Sequence, residues 1–198
     1  MNKVVLDVET QRSFDEVGGR HMHLLGVSVV GIYQYPTEKY LTFEEKDIPN
    51  LDKMLQHVDL AIGFNLIGFD FPVLEPYLSF PLSKLHTLDI MQEIVKAAGH
   101  RVSLNSVAQA TLGELKTGTG LEAIKLFRKE KMKELKKYCL DDVCLTKELY
   151  EYGLNHGEIL FSSKAEQKEN WNILHENRII YWKWVQILTF MFFLICRV

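Results

Sequence analysis

The hydrophobic pattern in the first half of the chain predicts a covered β-sheet. Several short segments are rich in branched and aromatic apolar residues, which is typical of strands that are buried on both faces. The predicted strands are 3–10 (KVVLDVET), 23–35 (HLLGVSVVGIYQY), 39–45 (KYLTFEE), 60–64 (LAIGF) and 84–91 (KLHTLDIM).

Apolar residues at helical spacing lie between these strands and dominate the second half of the chain. Helices are predicted over 47–58, from Asp70, over 90–99 and over most of 103–153, with a Gly/Thr-rich break at 116–120 (KTGTG). The segment EILF near the end of this pattern suits a late edge strand. Strands first, helices later and β-α-β alternation between them predict an α/β domain with a mixed sheet.

Length and composition fit one folded domain with a substantial core. The chain has 198 residues, 47% hydrophobic and 25% charged, which excludes the disordered and fibrous classes. Cys139, Cys144 and Cys196 form no CxxC pair, which argues against a disulfide scaffold or a structural zinc site. We expect a reducing, cytoplasmic location, since the N-terminus enters a predicted strand without a signal-peptide pattern.

The C-terminal segment 185–196 (VQILTFMFFLIC) is apolar apart from Gln186 and Thr189. Extended back to Ile179 it contains Lys183, and a membrane span needs about 20 predominantly apolar residues. We therefore expect a buried strand or helix here rather than membrane contact by the tail.

The densest positive stretch of the chain lies between residues 125 and 137. With a net charge of −3, the chain as a whole is not a general nucleic-acid binder. The stretch is either a solvated helix face or a patch that faces phosphates. Its members are Lys125, Arg128, Lys129, Lys131, Lys133, Lys136 and Lys137.

Asp7 and Glu9 are two positions apart in the first predicted strand, so their side chains project from the same face. Burying two unpaired carboxylates in an apolar strand is costly. A hard divalent cation such as Mg²⁺ or Mn²⁺ prefers carboxylate oxygens and would remove that cost. Taken alone, the pair also fits a solvated strand end.

Further polar residues lie where predicted strands end or helices begin. Asp70 precedes Phe71 and Pro72, so helix N-capping by itself would explain it. Asp89 fits a second cap, and Asn65 fits a turn. These residues suggest a function only in combination.

The segment KKYCLDDVCL places two aspartates side by side in a predicted helix. At about 100° per residue, Asp142 falls at the centre of an apolar stripe that includes Leu135 and Tyr138. Asp141 falls on a charged flank. We therefore expect Asp142 to point inward, where an acid requires a partner, and Asp141 to be solvated.

Three spaced motifs occur along the chain in a fixed order. They are D-x-E at Asp7 and Glu9, N-x4-D at Asn65 and Asp70, and Y-x3-D at Tyr138 and Asp142. In this order they resemble the motifs of the DEDD superfamily of 3′–5′ exonucleases. The tyrosine of the last motif makes the chain similar to the DEDDy branch of that superfamily. The resemblance covers about residues 3–153 and implies a ribonuclease H-like fold, with helices flanking a mixed sheet.

Longer runs resemble a group of prokaryotic ribonuclease H-like proteins that are sometimes described beside DEAD-box helicases. The runs are DVETQRSFDEVGG, GFNLIGFDFPVLEPY, LNSVAQATLG and YCLDDVCLT. The sequence after EILF departs from the pattern of that group. We therefore expect an exonuclease domain over 1–157 and a divergent C-terminal extension over 158–198.

The resemblance implies a two-metal hydrolysis of phosphodiester bonds at the 3′ end of single-stranded nucleic acid. It implies that Mg²⁺ or Mn²⁺ binds at Asp7, Glu9, Asp70 and Asp142, and that Tyr138 orients the attacking water. It also implies a helicase as a partner.

Several residues are candidates for contacts with the strand. Thr10, Phe64, Asn65 and Phe69 are expected to line the cleft and contact the terminal nucleotides. Arg101, Lys116 and Lys125 are candidate phosphate contacts, and none of the seven histidines has ligand-like spacing.

The sequence is also compatible with other functions. The chain could be a non-catalytic module that binds nucleic acid or docks a helicase, although a complete set of inward acids weighs against it. An endonuclease of the same fold and a membrane-associated protein stay open as well.

Overall fold

The computed structural model describes residues 1–114, 118 and 120–161, together with the backbone of 178–181. The strands and helices are β1 (Lys3–Thr10), β2 (Val27–Gln34), β3 (Lys39–Glu44), α1 (Ile48–Leu55), β4 (Leu60–Gly63), α2 (Phe71–Leu74), β5 (Thr87–Asp89), α3 (Ile90–Ala98), α4 (Leu104–Leu112), α5 (Gly120–Arg128), α6 (Met132–His156), β6 (Glu158–Phe161) and β7 (Arg178–Tyr181). The chain divides into two compact units, Met1–Gln92 with Lys116–Lys147 and Glu93–Leu115 with Glu148–Val198.

The first unit contains a five-stranded mixed sheet in the order β3-β2-β1-β4-β5. β1 runs antiparallel to β2 and parallel to β4, so it lies at the centre of the sheet. Val4, Leu6 and Val8 alternate along β1 into a core on one face. α5 and α6 pack on the other face, around Val29 of β2. The predicted α/β fold with a mixed sheet and flanking helices is confirmed.

Two predicted strands are shorter in the structure. The segment 23–35 begins with a 3₁₀ turn (Met22–Leu24), and β2 starts only at Val27. Leu25 is apolar because it packs into the core from the loop. The segment 84–91 keeps only β5, because pairing with β4 is limited to three residues and α3 begins directly after Asp89.

The second unit contains α4, the end of α6 and a two-stranded antiparallel sheet of β6 and β7. The Thr111 hydroxyl of α4 donates to the Leu160 carbonyl at 2.7 Å and accepts from the Leu160 N–H at 3.0 Å. These bonds satisfy the backbone N–H and carbonyl of Leu160 in β6. The late strand predicted at EILF is present as β6, and its partner is β7.

The predictions for the C-terminal apolar segment 185–196 and for Lys116 lie outside the described residues. Within the described part of the chain, the helices are too short or too polar to cross a membrane.

Candidate metal centre

Asp7 and Glu9 lie on the α6 side of the central strand β1. Asp7 pairs with Gly31 and Glu9 with Val29, after which the register skips Ser28. Such a bulge bends the end of a strand and redirects its side chains. Glu9 is buried and Asp7 is half-buried, so a solvated strand end does not describe this pair.

The helix α6 brings Asp142 to the same face of the sheet. Asp142 is 2% exposed and lies among buried residues such as Leu135, as its position on the apolar stripe predicts. Asp141 points outward and accepts a hydrogen bond from the Lys137 ammonium at 2.7 Å. The predicted difference between the two neighbouring aspartates is confirmed.

Asp7, Glu9 and Asp142 together form a carboxylate cluster. One ligand oxygen from each lies within 4.8 Å of the other two. Three carboxylates this close and this buried repel one another unless a positive charge or a proton compensates. All three donors are the hard oxygen ligands that Mg²⁺ and Mn²⁺ prefer, so the cluster fits a divalent ion.

Asp70 is 3% exposed and lies next to this cluster. Its Oδ1 accepts a hydrogen bond from the Val8 N–H, 2.9 Å away. Burial and the neighbouring Asp7 charge raise the pKa of Asp70 well above its usual value. Its carboxylate does not belong to the set of three closest ligands, so its role as a metal ligand stays a prediction.

Asp70 directly precedes α2, as predicted, but side-chain capping does not explain this residue. Residues Leu66–Asp70 already form a π-helical turn, and Asp70 itself has helical dihedral angles (φ −61°, ψ −45°). Its side chain makes no capping bond to α2. Because Asp70 lies within continuous helical backbone, its carboxylate is available to bond β1 instead.

Asp89 holds the π-helical turn in place through hydrogen bonds to its backbone. Its two carboxylate oxygens accept hydrogen bonds from the N–H groups of Asn65, at 2.8 Å, and Ile67, at 3.0 Å. It also accepts from the Gln92 N–H at 3.3 Å, so the predicted cap of α3 is confirmed. One buried carboxylate therefore joins the end of β5 to the turn that carries Asp70.

A cleft of about 460 Å³ opens above the carboxylate cluster. Three predicted contact residues, Thr10, Phe64 and Phe69, line it. Asn65 is outside its lining and has a left-handed backbone (φ 75°) that begins the π-helical turn. The full lining is Asp7, Val8, Glu9, Thr10, Arg12, Ser13, Phe14, Asp15, Leu25, Phe64, Phe69, Asp70, Gly120, Leu121, Ile124 and Asp142.

Tyr138 is buried one turn before Asp142 on the same helix. It packs with Val29, Ala123 and Cys139, outside the cleft lining. A Cβ atom at Gly118 would lie 3.1 Å from the Tyr138 ring and closer still to a Glu122 carboxylate oxygen, and the positive φ of 96° favours glycine at this position as well. A water-orienting role for Tyr138 stays a prediction.

The loop between β1 and β2 contributes cleft residues that had no predicted role, although the loop lies within the run DVETQRSFDEVGG that resembles the prokaryotic group. Arg12 is the only basic residue among the described residues that line the cleft, and Phe14 lines the same cleft. The Phe14 ring meets Phe69 edge to face, with 6.1 Å between the centroids. The run QRSFDE is that of an ordinary polar loop, so its position at the cleft depends on tertiary structure.

Glu16 anchors this loop to α5. It accepts hydrogen bonds from the Ser13 N–H at 2.9 Å and the Ser13 hydroxyl at 3.0 Å, and it pairs with Arg128. These bonds lower the pKa of Glu16, with the Ser13 backbone bond as the largest cause. The loop that carries Arg12 is therefore attached to α5 through Glu16, as well as to β1 and β2 at its two ends.

The basic stretch of 125–137 is partly neutralised by ion pairs. Besides Arg128, Lys136 pairs with Glu44 at 2.6 Å and Lys131 with Glu134 at 3.5 Å. For these residues the structure favours a solvated helix face over a phosphate patch. Lys125 is exposed on α5, and Arg101 is exposed in the second unit; neither lines the cleft.

The fold and the site define a ribonuclease H-like α/β domain. Its mixed five-stranded sheet carries acids on the central strand, and a helix adds a further acid. A model of the RNase H superfamily matches residues 4–153, and the chain therefore belongs to this superfamily. No curated protein matches the chain.

A solved structure with a similar fold is the family B DNA polymerase from the hyperthermophilic archaeon Pyrobaculum calidifontis. The TM-score is 0.61 at 20% sequence identity, and the match covers 78% of this chain. It covers only 24% of the polymerase chain, so this protein spans about a quarter of the length of that relative.

Proposed function

We propose that this protein is a metal-dependent 3′–5′ exonuclease that shortens single-stranded nucleic acid. The observation that carries the proposal is the cluster of Asp7, Glu9 and Asp142 beneath an open cleft. Membership of the RNase H superfamily and the fold likeness to a DNA polymerase support nucleic acid as the substrate. The order of the D-x-E, N-x4-D and Y-x3-D motifs supports attack at a 3′ end.

Asp7, Glu9 and Asp142 would hold the first of two Mg²⁺ or Mn²⁺ ions, and Asp70, beside Asp7, would complete the site for the second. Bound divalent ions make a water molecule more acidic and stabilise the charge on the leaving oxygen. Tyr138 would orient the attacking water from the side of α6. The water oxygen would bond to the terminal phosphorus while the bond to the 3′ oxygen of the preceding nucleotide breaks. That oxygen would take the proton that the water loses, which leaves a new 3′-hydroxyl on the strand and releases a nucleoside 5′-monophosphate.

The cleft walls are suited to a flexible strand. Phe64 and Phe69 offer apolar rings to the terminal bases, and Phe14 extends this surface from the opposite loop. Arg12 would contact a phosphate, and Thr10 would contact the terminal nucleotide. A helicase partner is supported only by the resemblance to the helicase-associated group.

The experiment is a panel of end-labelled linear and circular DNA and RNA strands, incubated with Mg²⁺ or Mn²⁺. We expect mononucleotides from the 3′ ends of linear strands and no cutting of circles. Asp7→Ala should abolish the activity, whereas the outward-facing Asp141→Ala should retain it. Cutting of circular strands would replace the exonuclease with an endonuclease, and product formation unaffected by Asp7→Ala would overturn the proposal.

A non-catalytic binding module is the second candidate. The observation that favours it is the combination of Arg12 and three phenylalanines at the cleft, which suits binding with or without cleavage. In that case the wild-type protein retains labelled strands on a filter, in both divalent ions, without shortening them.

A further inference from the structure

The backbone of β2 makes close contact with α6 directly beside the carboxylate cluster. Gly31 is the strand partner of Asp7. A Cβ atom at Gly31 would lie 2.8 Å from the Cys139 sulfur, 3.0 Å from a Val143 methyl group and 3.4 Å from the Cys139 carbonyl oxygen. The first distance is shorter than real Cβ contacts, so any side chain here would force α6 or its side chains to move.

Backbone conformation does not explain glycine at this position. The residues with a positive φ in the described part of the chain do not include Gly31, which lies within a regular strand. The close approach of the helix does explain it, because only a residue without a side chain leaves space for Cys139 and Val143. These two residues are four apart and therefore lie on one face of α6.

Cys139 also contacts Asp7 directly. Its sulfur is fully buried, 3.6 Å from Asp7 Oδ2 and 3.7 Å from the Asp7 carbonyl oxygen, so both oxygens are acceptors within reach of its single S–H. Asp142 follows three residues later and so lies on the same side of the helix. The turn of α6 that rests on Gly31 is thus the turn that brings Asp142 to Asp7 and Glu9.

We propose that Gly31 and Cys139 are positioning residues for the metal centre. Gly31 sets how closely α6 approaches the sheet, and thereby the distance from Asp142 to the carboxylates of β1. Cys139 fills the space between α6 and Gly31, and its thiol contacts the Asp7 carboxylate from the helix side and fixes its position. The inference rests on the proposed function only in that these carboxylates bind a divalent ion.

The test measures Mn²⁺ binding by the full-length protein, with no nucleic acid present. Gly31→Ala should raise the Mn²⁺ dissociation constant by about 10–100-fold, the range found when residues that support metal ligands are changed. Cys139→Ala alone should raise it only a few-fold. Gly31→Ala combined with Cys139→Ala should recover part of the lost affinity, because the sulfur closest to the new Cβ atom is then absent while the Val143 methyl group remains.

A matched control separates positioning from general loss of stability. Leu55→Ala removes a buried side chain from the core on the other face of the sheet. We expect it to lower the melting temperature and to leave the Mn²⁺ dissociation constant unchanged. A merely structural role for Gly31 would give the same result as Leu55→Ala.

Two outcomes overturn the inference: wild-type Mn²⁺ affinity in folded Gly31→Ala, or no recovery in the double variant. If Gly31→Ala does not fold, Cys139→Val enlarges the same contact from the helix side. If Cys139→Val binds Mn²⁺ more weakly while its melting temperature stays near that of the wild type, the inference is supported. Unchanged Mn²⁺ affinity in this variant overturns it. Wild-type protein that binds Mn²⁺ without cutting strands contradicts only the exonuclease, whereas wild-type protein that binds no Mn²⁺ overturns both.

Discussion

The Asp70 carboxylate accepts a hydrogen bond from the backbone N–H of Val8, 2.9 Å away, and joins the turn before α2 to the middle of β1. Val8 lies between Asp7 and Glu9, so this bond brings a further buried carboxylate next to the cluster. The pKa of Asp70 is raised by its burial and by the Asp7 charge. Without a cation, the ionised form of Asp70 therefore destabilises the folded protein, since a raised pKa means that folding disfavours this charge.

Asp70→Asn should stabilise the protein in a chelator and weaken its response to metal. The amide oxygen can still accept the Val8 N–H, while the buried charge is removed. We expect a rise in melting temperature of about 2–4 °C at neutral pH, which corresponds to about 1 kcal/mol for a chain of this size. Thermal unfolding with and without Mn²⁺ measures both effects, and Mn²⁺ should raise the melting temperature of the variant less than that of the wild type.

Asp70→Ala is the comparison that isolates the hydrogen bond, because it removes the charge and also leaves the buried Val8 N–H without its acceptor. An unsatisfied buried donor costs about 1–3 kcal/mol, so this variant should melt below Asp70→Asn. A lower melting temperature for Asp70→Asn than for the wild type in the chelator would contradict the assigned electrostatics.

Asp142→Asn should abolish metal binding, whereas Asp141→Asn should have little effect, although the two residues are neighbours. Asp142 lies in the carboxylate cluster, whereas Asp141 bonds Lys137 at the surface. We expect Asp142→Asn to abolish Mn²⁺ binding and strand shortening. Asp141→Asn should change the free energy of unfolding by less than about 0.5 kcal/mol, as is usual for an exposed pair between residues four apart on a helix. Titration calorimetry and denaturant unfolding of both variants test this pair, and equal damage to metal binding would refute the assignment.

Tyr138→Phe should slow strand shortening without changing the Mn²⁺ dissociation constant. The substitution removes only the hydroxyl from a buried ring, so the packing with Val29 and Cys139 is kept. Loss of a water-orienting group should lower the turnover rate by about 100-fold. Single-turnover rates at saturating Mn²⁺ provide the measurement, and an unchanged rate would show that Tyr138 has only a packing role.

Arg12→Ala should weaken the binding of single strands and reduce its dependence on salt. Arg12 lines the cleft, and its proposed role is to contact one phosphate. Loss of one phosphate contact should reduce the slope of log affinity against log salt by about 0.7. Strand binding by the Asp142→Asn background at several salt concentrations measures the slope without cleavage. Lys53→Ala, at an exposed lysine of α1 outside the cleft lining, is the control and should keep the full slope.

The local pattern predicted the burial of individual side chains well where one element determines it. The inward Asp142 and the outward Asp141 follow from helical periodicity, and the shared face of Asp7 and Glu9 follows from strand alternation. The pattern was less informative at element boundaries. Asp70 has the local context of a helix cap, and only the preceding π-helical turn and the nearby N–H of Val8 give its carboxylate another partner.

The sequence by itself determined the α/β class, the order of most elements, the inward Asp142 and the shared face of Asp7 and Glu9. These features depend on side-chain periods of two or 3.6 residues that are repeated within each segment. Tertiary structure alone decided that Asp7, Glu9 and Asp142 converge, that Arg12 and Phe14 reach the cleft and that Gly31 lies beneath Cys139. Those relationships join residues far apart in the chain. They depend on strand register and on the distance between helix and sheet, which no local repeat encodes.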